Sequence, residues 1–169
     1  MKQVVLRLLC FIFLGLGSVS LFGQDQDDWG VWDNNYLAVN MSEILRLERL
    51  YADSIEAGDG SQFYARLDKY RFSVVYMGDY RSLRDEVISS IKSVFSLYGD
   101  AGQLDGLLED EVLVLLNGER HWFPIQPQLV NDLKKEYQPG EEVLVYCLFL
   151  NQHTSDKKLY NHLLISEFR

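Results

Sequence analysis

Val112-Leu-Val-Leu-Leu-Asn-Gly-Glu-Arg-His-Trp-Phe123 is the stretch on which the fold turns. Two apolar runs flank Asn117-Gly118, a pair whose residues both tolerate the positive φ that a two-residue hairpin turn demands. Such a turn sets Leu116 opposite Glu119, Leu115 opposite Arg120, Val114 opposite His121, Leu113 opposite Trp122 and Val112 opposite Phe123. One face then carries Val112, Val114, Leu116, His121 and Phe123. The other carries Leu113, Leu115, Arg120 and Trp122. Both faces are apolar enough to need cover, and the long helix expected upstream is the candidate for one of them.

Outward from the hairpin, Pro124 and Pro127 are expected to end its second strand. Pro127 suits the first position of a short helix with Leu129, Val130, Leu133 and Tyr137 on its buried face, closed by Pro139-Gly140. Residues 141–150 read as a central strand, apolar on both sides, then 151–158 as a polar turn and 159–168 as the last strand. On the N-terminal side, Phe72, Val74, Val75 and Tyr76 mark a strand at 71–77. Ser82 with Asp85 opens a helix whose period runs through Leu83, Val87, Ile88, Ile91, Val94, Phe95 and Tyr98 to Gly99. Asn40 caps a helix over 41–57, with Glu43 completing a capping-box-like pair. Met41, Ile44, Leu47, Tyr51 and Ile55 form its apolar face, and Gly58-Asp-Gly60 ends it. Phe63, Leu67 and Tyr70 share a helical face, so 61–70 reads as a second short helix.

The expected class is therefore α+β: a small antiparallel sheet or barrel of about five strands covered by helices. Counting 71–77 first, the order strand, strand, strand, helix, strand, strand is that of an OB-type barrel, with the helix at 83–98 inserted after the first strand. An open antiparallel sheet under helices has the same element order. The domain plan is 1–23 signal peptide, 24–40 acidic aromatic arm, 41–70 helical segment and 71–169 sheet domain.

The leader reading rests on Lys2 and Arg7, an apolar stretch from Leu8 to Phe22, and Gly15, Gly17, Ser18 and Ser20 near its end. The apolar run is nearer 15 residues than the roughly 20 that a spanning helix needs. An uncleaved leader is the one route by which the sequence points to a membrane. Cys10 lies too early in the run for a lipid-modified cysteine. Removal of residues 1–23 leaves about 146 residues, the size of one domain. It also leaves 14 basic against 25 acidic groups and moves the formal charge from −9 to −11. A chain so acidic repels phosphate backbones, which excludes nucleic acid as the expected partner. Cys147, alone after cleavage and set in an apolar run, reads as a small buried hydrophobe.

The arm from Gln24 to Asn40 is acidic, amide-rich and aromatic. Trp29 and Trp32 would be costly in water, and one or both are expected to dock on the domain. Acidic groups at 100–111 do not fit the alternating ligand positions of an EF-hand calcium loop. His121 and His162 fall in strands, which favours structural roles. A metal site would need His153 and His162 brought together across the last turn. HExxH, CxxC, GxSxG and glycine-rich phosphate loops are all missing, and 25 acidic residues make paired carboxylates uninformative. The chain calls for no cofactor.

The function expected is an exported cell-envelope or periplasmic domain, not an enzyme, that binds another protein or gives structural support. Trp29, Trp32 and Tyr36 in the arm, with Arg120 and Trp122 on the hairpin, are the expected contact residues. A glycan-binding module using the same aromatics, or a small hydrolase with a carboxylate pair, are the alternatives.

Overall fold

A computed structural model describes residues 29–58 and 63–169. The leader at 1–23 and the start of the arm lie outside the described residues. The described residues form four α-helices, α1 (Trp29–Asn35), α2 (Met41–Glu56), α3 (Asp85–Phe95) and α4 (Pro127–Glu136), and one six-stranded sheet. The strands are β1 (Leu37–Ala38), β2 (Tyr64–Ser82), β3 (Asp110–Leu116), β4 (Glu119–Ile125), β5 (Glu142–His153) and β6 (Leu159–Phe168). None of the helices over the described residues is long and apolar enough to cross a membrane.

The hairpin register is the one its turn chemistry predicts, from Leu116↔Glu119 to Val112↔Phe123. Asn117 and Gly118 take φ of 51° and 82°. The strand does not stop at Pro124, however. Pairing runs on through Glu111↔Pro124 and Asp110↔Ile125. Proline is tolerated there because the far edge of β4 pairs with β6 only at Ile125, so no ladder bond is lost.

The sheet is mixed. β2–β3, β3–β4, β2–β5 and β5–β6 are antiparallel, whereas β1–β2 and β4–β6 are parallel. The expectation of an antiparallel sheet thus holds only in part. The order β1-β2-β3-β4-β6-β5, with β2 also paired to β5, brings the sheet round on itself. The closing seam is one residue pair, Ile125↔Ile165, supplemented by the Gln126 N–H donating to the Ile165 carbonyl at 3.3 Å. The result is a ring and not a barrel.

The ring is possible because β2 serves two neighbours in turn. Tyr64 to Val75 pair with β5, and Val75 to Ser82 pair with β3. Between Tyr76 and Tyr80 the register slips, four steps of β2 spanning two of β3. Gly78 stands in this bulge at φ +83°, and a Cβ there would lie 2.7 Å from Pro139 Cγ. The Gly140 N–H donates to the Tyr76 carbonyl at 2.7 Å and locks the bend to the loop before β5. Inward-facing side chains fill the ring, among them Phe72, Val74, Val112, Val114, Phe123, Val145, Cys147, Phe149, Ile165 and Phe168. α4 closes this core with Leu129, Val130 and Leu133, as its pattern predicts.

Four expectations need correction. The short helix expected at 61–70 is strand from Tyr64 onward, because pairing with β5 runs unbroken from Tyr64 to Tyr70 and beyond, a longer ladder of main-chain bonds than a lone helical turn can make. Residue 70, the expected end of the helical segment, is interior to β2. The helix over 83–98 is shorter, its N-cap is Arg84 without a side-chain bond, and it does not cover the hairpin. It packs Val87, Ile91, Val94 and Phe95 on Leu150 and Leu164 of β5 and β6. The polar turn expected at 151–158 begins only after His153, since Asn151 and His153 are buried in β5. On α2 the buried positions are Met41, Glu48 and Ala52, whereas Leu47 and Tyr51 are half exposed. Glu48 Oε1 faces inward to pair with Arg66 Nη2 at 2.8 Å, which rotates the apolar flank outward.

Gly78→Ala forces a side chain into a left-handed conformation against Pro139. A cost of about 1–3 kcal/mol is expected, read as a lower urea midpoint, and a smaller loss for Gly106→Ala, which meets the same left-handed strain at φ +74° but has open space.

Candidate functional site

Two surfaces hold the residues singled out from the sequence, and the structure does not bring them together. The first lies on the outer side of β5. Alternation along β5 turns Val145, Cys147 and Phe149 into the ring and leaves Tyr146 and Leu148 outside. α3 covers the Leu148 end. At the Tyr146 end the arm folds into α1, a helix that its composition does not announce. Trp29 stacks on Tyr146 at 5.7 Å and 19°, while Trp32 and Tyr36 meet the same ring edge-on at 5.5 and 5.6 Å. Tyr146 is fully buried as a result. The tryptophans dock, as their cost in water predicts, and their rings are occupied by the protein itself.

An ion cluster fixes this docking. The Tyr146 hydroxyl donates to Asp33 Oδ1 at 2.8 Å. Arg169 Nη2 lies 3.2 Å from Asp33 Oδ2 and its guanidinium 5.2 Å from the Trp29 ring centre. Arg71 pairs with Asp33 at 3.4 Å and donates to the Tyr36 carbonyl at 2.8 Å. The Tyr146 hydrogen bond, with help from both arginines, holds the Asp33 carboxyl below the usual carboxylate range. Burial pushes the phenols of Tyr36 and Tyr146 up to about 12. Beside the cluster runs a groove of about 560 Å³, walled by Asp33 to Ala38 on one side and Leu67, Asp68, Lys69 and Arg71 on the other.

The second surface is the outer face of the hairpin. The Arg81 guanidinium lies over the Trp122 ring, 4.1 Å from its centre, a cation–π geometry. Arg81 Nε in turn donates to Glu111, whose side chain is buried. Arg120 is exposed alongside, and Trp122 is half-buried. Sequence reasoning missed Arg81, Tyr146, Arg71 and Arg169. Cross-strand placement of Arg81 opposite Glu111 was the one available signal, and it required the true extent of β2.

The histidines hold structure together. His153 Nε2 lies 3.1 Å from Glu56 Oε1 under the Tyr64 ring, joining the end of α2 to β5. His162 Nε2 lies 2.9 Å from Ser90 Oγ on α3, with Tyr160 stacked on it at 5.8 Å. Burial, and secondarily Arg84, pushes the His162 imidazole down to about 4, so it is neutral at physiological pH. Among the described residues no cluster of His, Cys, Asp and Glu is arranged to hold a metal ion. Comparison with known protein families, characterised proteins and solved structures finds no match.

Two pH effects follow. Because the unfolded imidazole takes up its proton near 6.5 and the folded one only near 4, stability is full above pH 6.5 and declines as pH falls toward 4. The loss is about 3 kcal/mol, seen as a falling urea midpoint that His162→Gln flattens in that window. For Asp33 the depressed carboxyl keeps α1 docked above the usual carboxylate range and releases it as pH falls below. Tyr146→Phe removes the main cause of the depression and should move that release, followed by tryptophan fluorescence, to higher pH.

Proposed function

We propose that the chain is a non-catalytic exported domain of the cell envelope or periplasm that binds another protein, with the hairpin face as its contact surface. The Arg81–Trp122 stack carries the reading. A buried carboxylate pre-orients the guanidinium, the indole supplies a broad apolar face, and Arg120 stands free at its side. Tryptophan and arginine together are the residue types that dominate binding energy at protein interfaces, and fixing them in advance lowers the ordering cost of association. Large apolar side chains left half exposed at Leu47, Leu50 and Tyr51 on α2 support a protein partner further.

The OB-like reading of the ring belongs with this proposal. Counting the five long strands from β2, the helix α4 falls between the third and the fourth, as in that architecture. The hairpin then occupies the place of its second and third strands, where OB-folds gather their ligand contacts. The acidic chain disfavours nucleic acid in that role, which leaves protein first and envelope glycan second. Export itself rests on the leader sequence.

Crosslinking in the native envelope, with identification of what is captured by mass spectrometry, tests the surface. Trp122→Ala and Arg120→Ala, each with an unchanged thermal midpoint, should reduce capture of the same partner at least tenfold, the scale of a hot-spot loss of about 2 kcal/mol. Unchanged capture removes both residues from the contact. A saturable tryptophan-fluorescence response to envelope polysaccharide would favour the glycan reading instead.

A further inference from the structure

We propose that the edge of β2 between Ala65 and Lys69, which no described strand pairs, is a slot for an extended peptide segment of a partner protein, which adds as a strand in the lane that β1 begins and takes the Ala65 carbonyl over from the Tyr98 hydroxyl. This specifies the partner of the protein-binding reading above and rests on it.

The edge arises from unequal strand lengths. β5 pairs with every residue of β2 from Tyr64 to Val75. On the opposite side β3 reaches only Val75, through Leu115, before the hairpin turns at Asn117. β1 takes Tyr70 and Arg71 and no more. Among the described residues no strand pairs with 64–69 on that side.

The direction of the main-chain groups follows from two bonds. In an antiparallel ladder each residue points both its N–H and its C=O to one neighbour, and the next residue points both to the other. The Val39 N–H donates to the Arg71 carbonyl at 3.2 Å, and the Tyr98 hydroxyl to the Ala65 carbonyl at 3.0 Å. Both residues therefore face away from β5, and Leu67 and Lys69 share their phase. Leu67 and Lys69, with Asp68, line the groove of about 560 Å³ opposite residues 33–38. β2 is regular through this span, its bulge coming only after Tyr76, and it lacks the proline or kink that usually blunts an edge. Lys69 does not bar the way, because its ammonium lies over the Tyr36 ring at 5.8 Å.

The rim supplies the side-chain chemistry. Leu37 is 66 % and Phe63 55 % exposed, and Tyr51, its ring tilted against Tyr64 at 5.1 Å, is 52 % exposed. An added strand presenting apolar side chains at alternate positions would cover them, which is how strand addition gains specificity beyond its main-chain bonds. From Ala65 to Lys69 there is room for about five residues at 3.3 Å each. A second copy of the same edge fits poorly. Antiparallel pairing about Leu67, which would oppose Arg66 and Asp68, sets Tyr64 and Phe63 against Tyr70 and Arg71, where Leu37 and Ala38 already sit.

The test selects phage-displayed random nonapeptides on the full chain and measures a synthetic winner by fluorescence anisotropy. Winners should alternate apolar and polar residues. N-methylation of every second peptide amide in one phase should weaken binding at least tenfold, and in the other phase leave it unchanged. Lys69→Pro, which removes an amide directed away from β5 together with the ammonium over Tyr36, should weaken binding as much without altering the thermal midpoint, whereas Lys69→Ala, which keeps the amide, should leave binding unchanged. The methylation series needs no protein variant, so it decides the matter even if the proline disturbs folding. Failure to select any peptide, or binding indifferent to methylation in both phases, overturns the slot. Binding lost with Trp122→Ala but kept with Lys69→Pro overturns it while sparing the hairpin surface. Self-association of the chain abolished by Lys69→Pro would reassign the edge to a second copy.

Discussion

One strand has to satisfy two partners. β2 runs for 19 residues, gives its first half to β5 and its second to β3, and bends between them at a glycine wedged against Pro139. Without that bend the hairpin and the β5–β6 pair would lie in one flat sheet, and the side chains of Phe72, Val112 and Phe149 would have no common interior to fill. The slender seam between β4 and β6 shows the same dependence from the far side. Closure is carried by the curvature of β2 and by side-chain packing, and only marginally by main-chain bonds across the seam.

The outer surface is organised by what the ring cannot cover. α3 protects Leu150 and Leu164. α1 protects Tyr146 with two indoles and a carboxylate shared by two arginines. The aromatic arm is thus a second lid on the same sheet, and the hairpin's outer face, with Trp122 half-buried, is left to the solvent or a partner.

How much of this could be read from the chain depends on the range of the interactions that decide it. The hairpin was legible because Asn117-Gly118 fixes register locally, and α4 because Pro127 and its apolar spacing act within one turn. Residues 64–70 were not legible. Phe63, Leu67 and Tyr70 do recur at helical steps, but pairing with residues 147–153 overrides that local signal. The burial of Glu48 depends on Arg66, and the docking of Trp29 depends on Tyr146 more than a hundred residues away. No local periodicity encodes such partners. Of the five expected contact residues, Trp29, Trp32 and Tyr36 are anchors of the fold, while Arg120 and Trp122 occupy the hairpin face.

Cys147 stands at the centre of this arrangement, fully buried between β2 and β6, its thiol pushed well up by desolvation. A sulfhydryl so placed is protected from oxidants in both respects that matter, access and ionisation. Under the proposed export, with Cys10 removed in the leader, the chain keeps one unpaired cysteine without becoming a source of mixed dimers. Alkylation of that one sulfur would require strands to part, so its modification rate is a natural clock for how often the closed sheet opens.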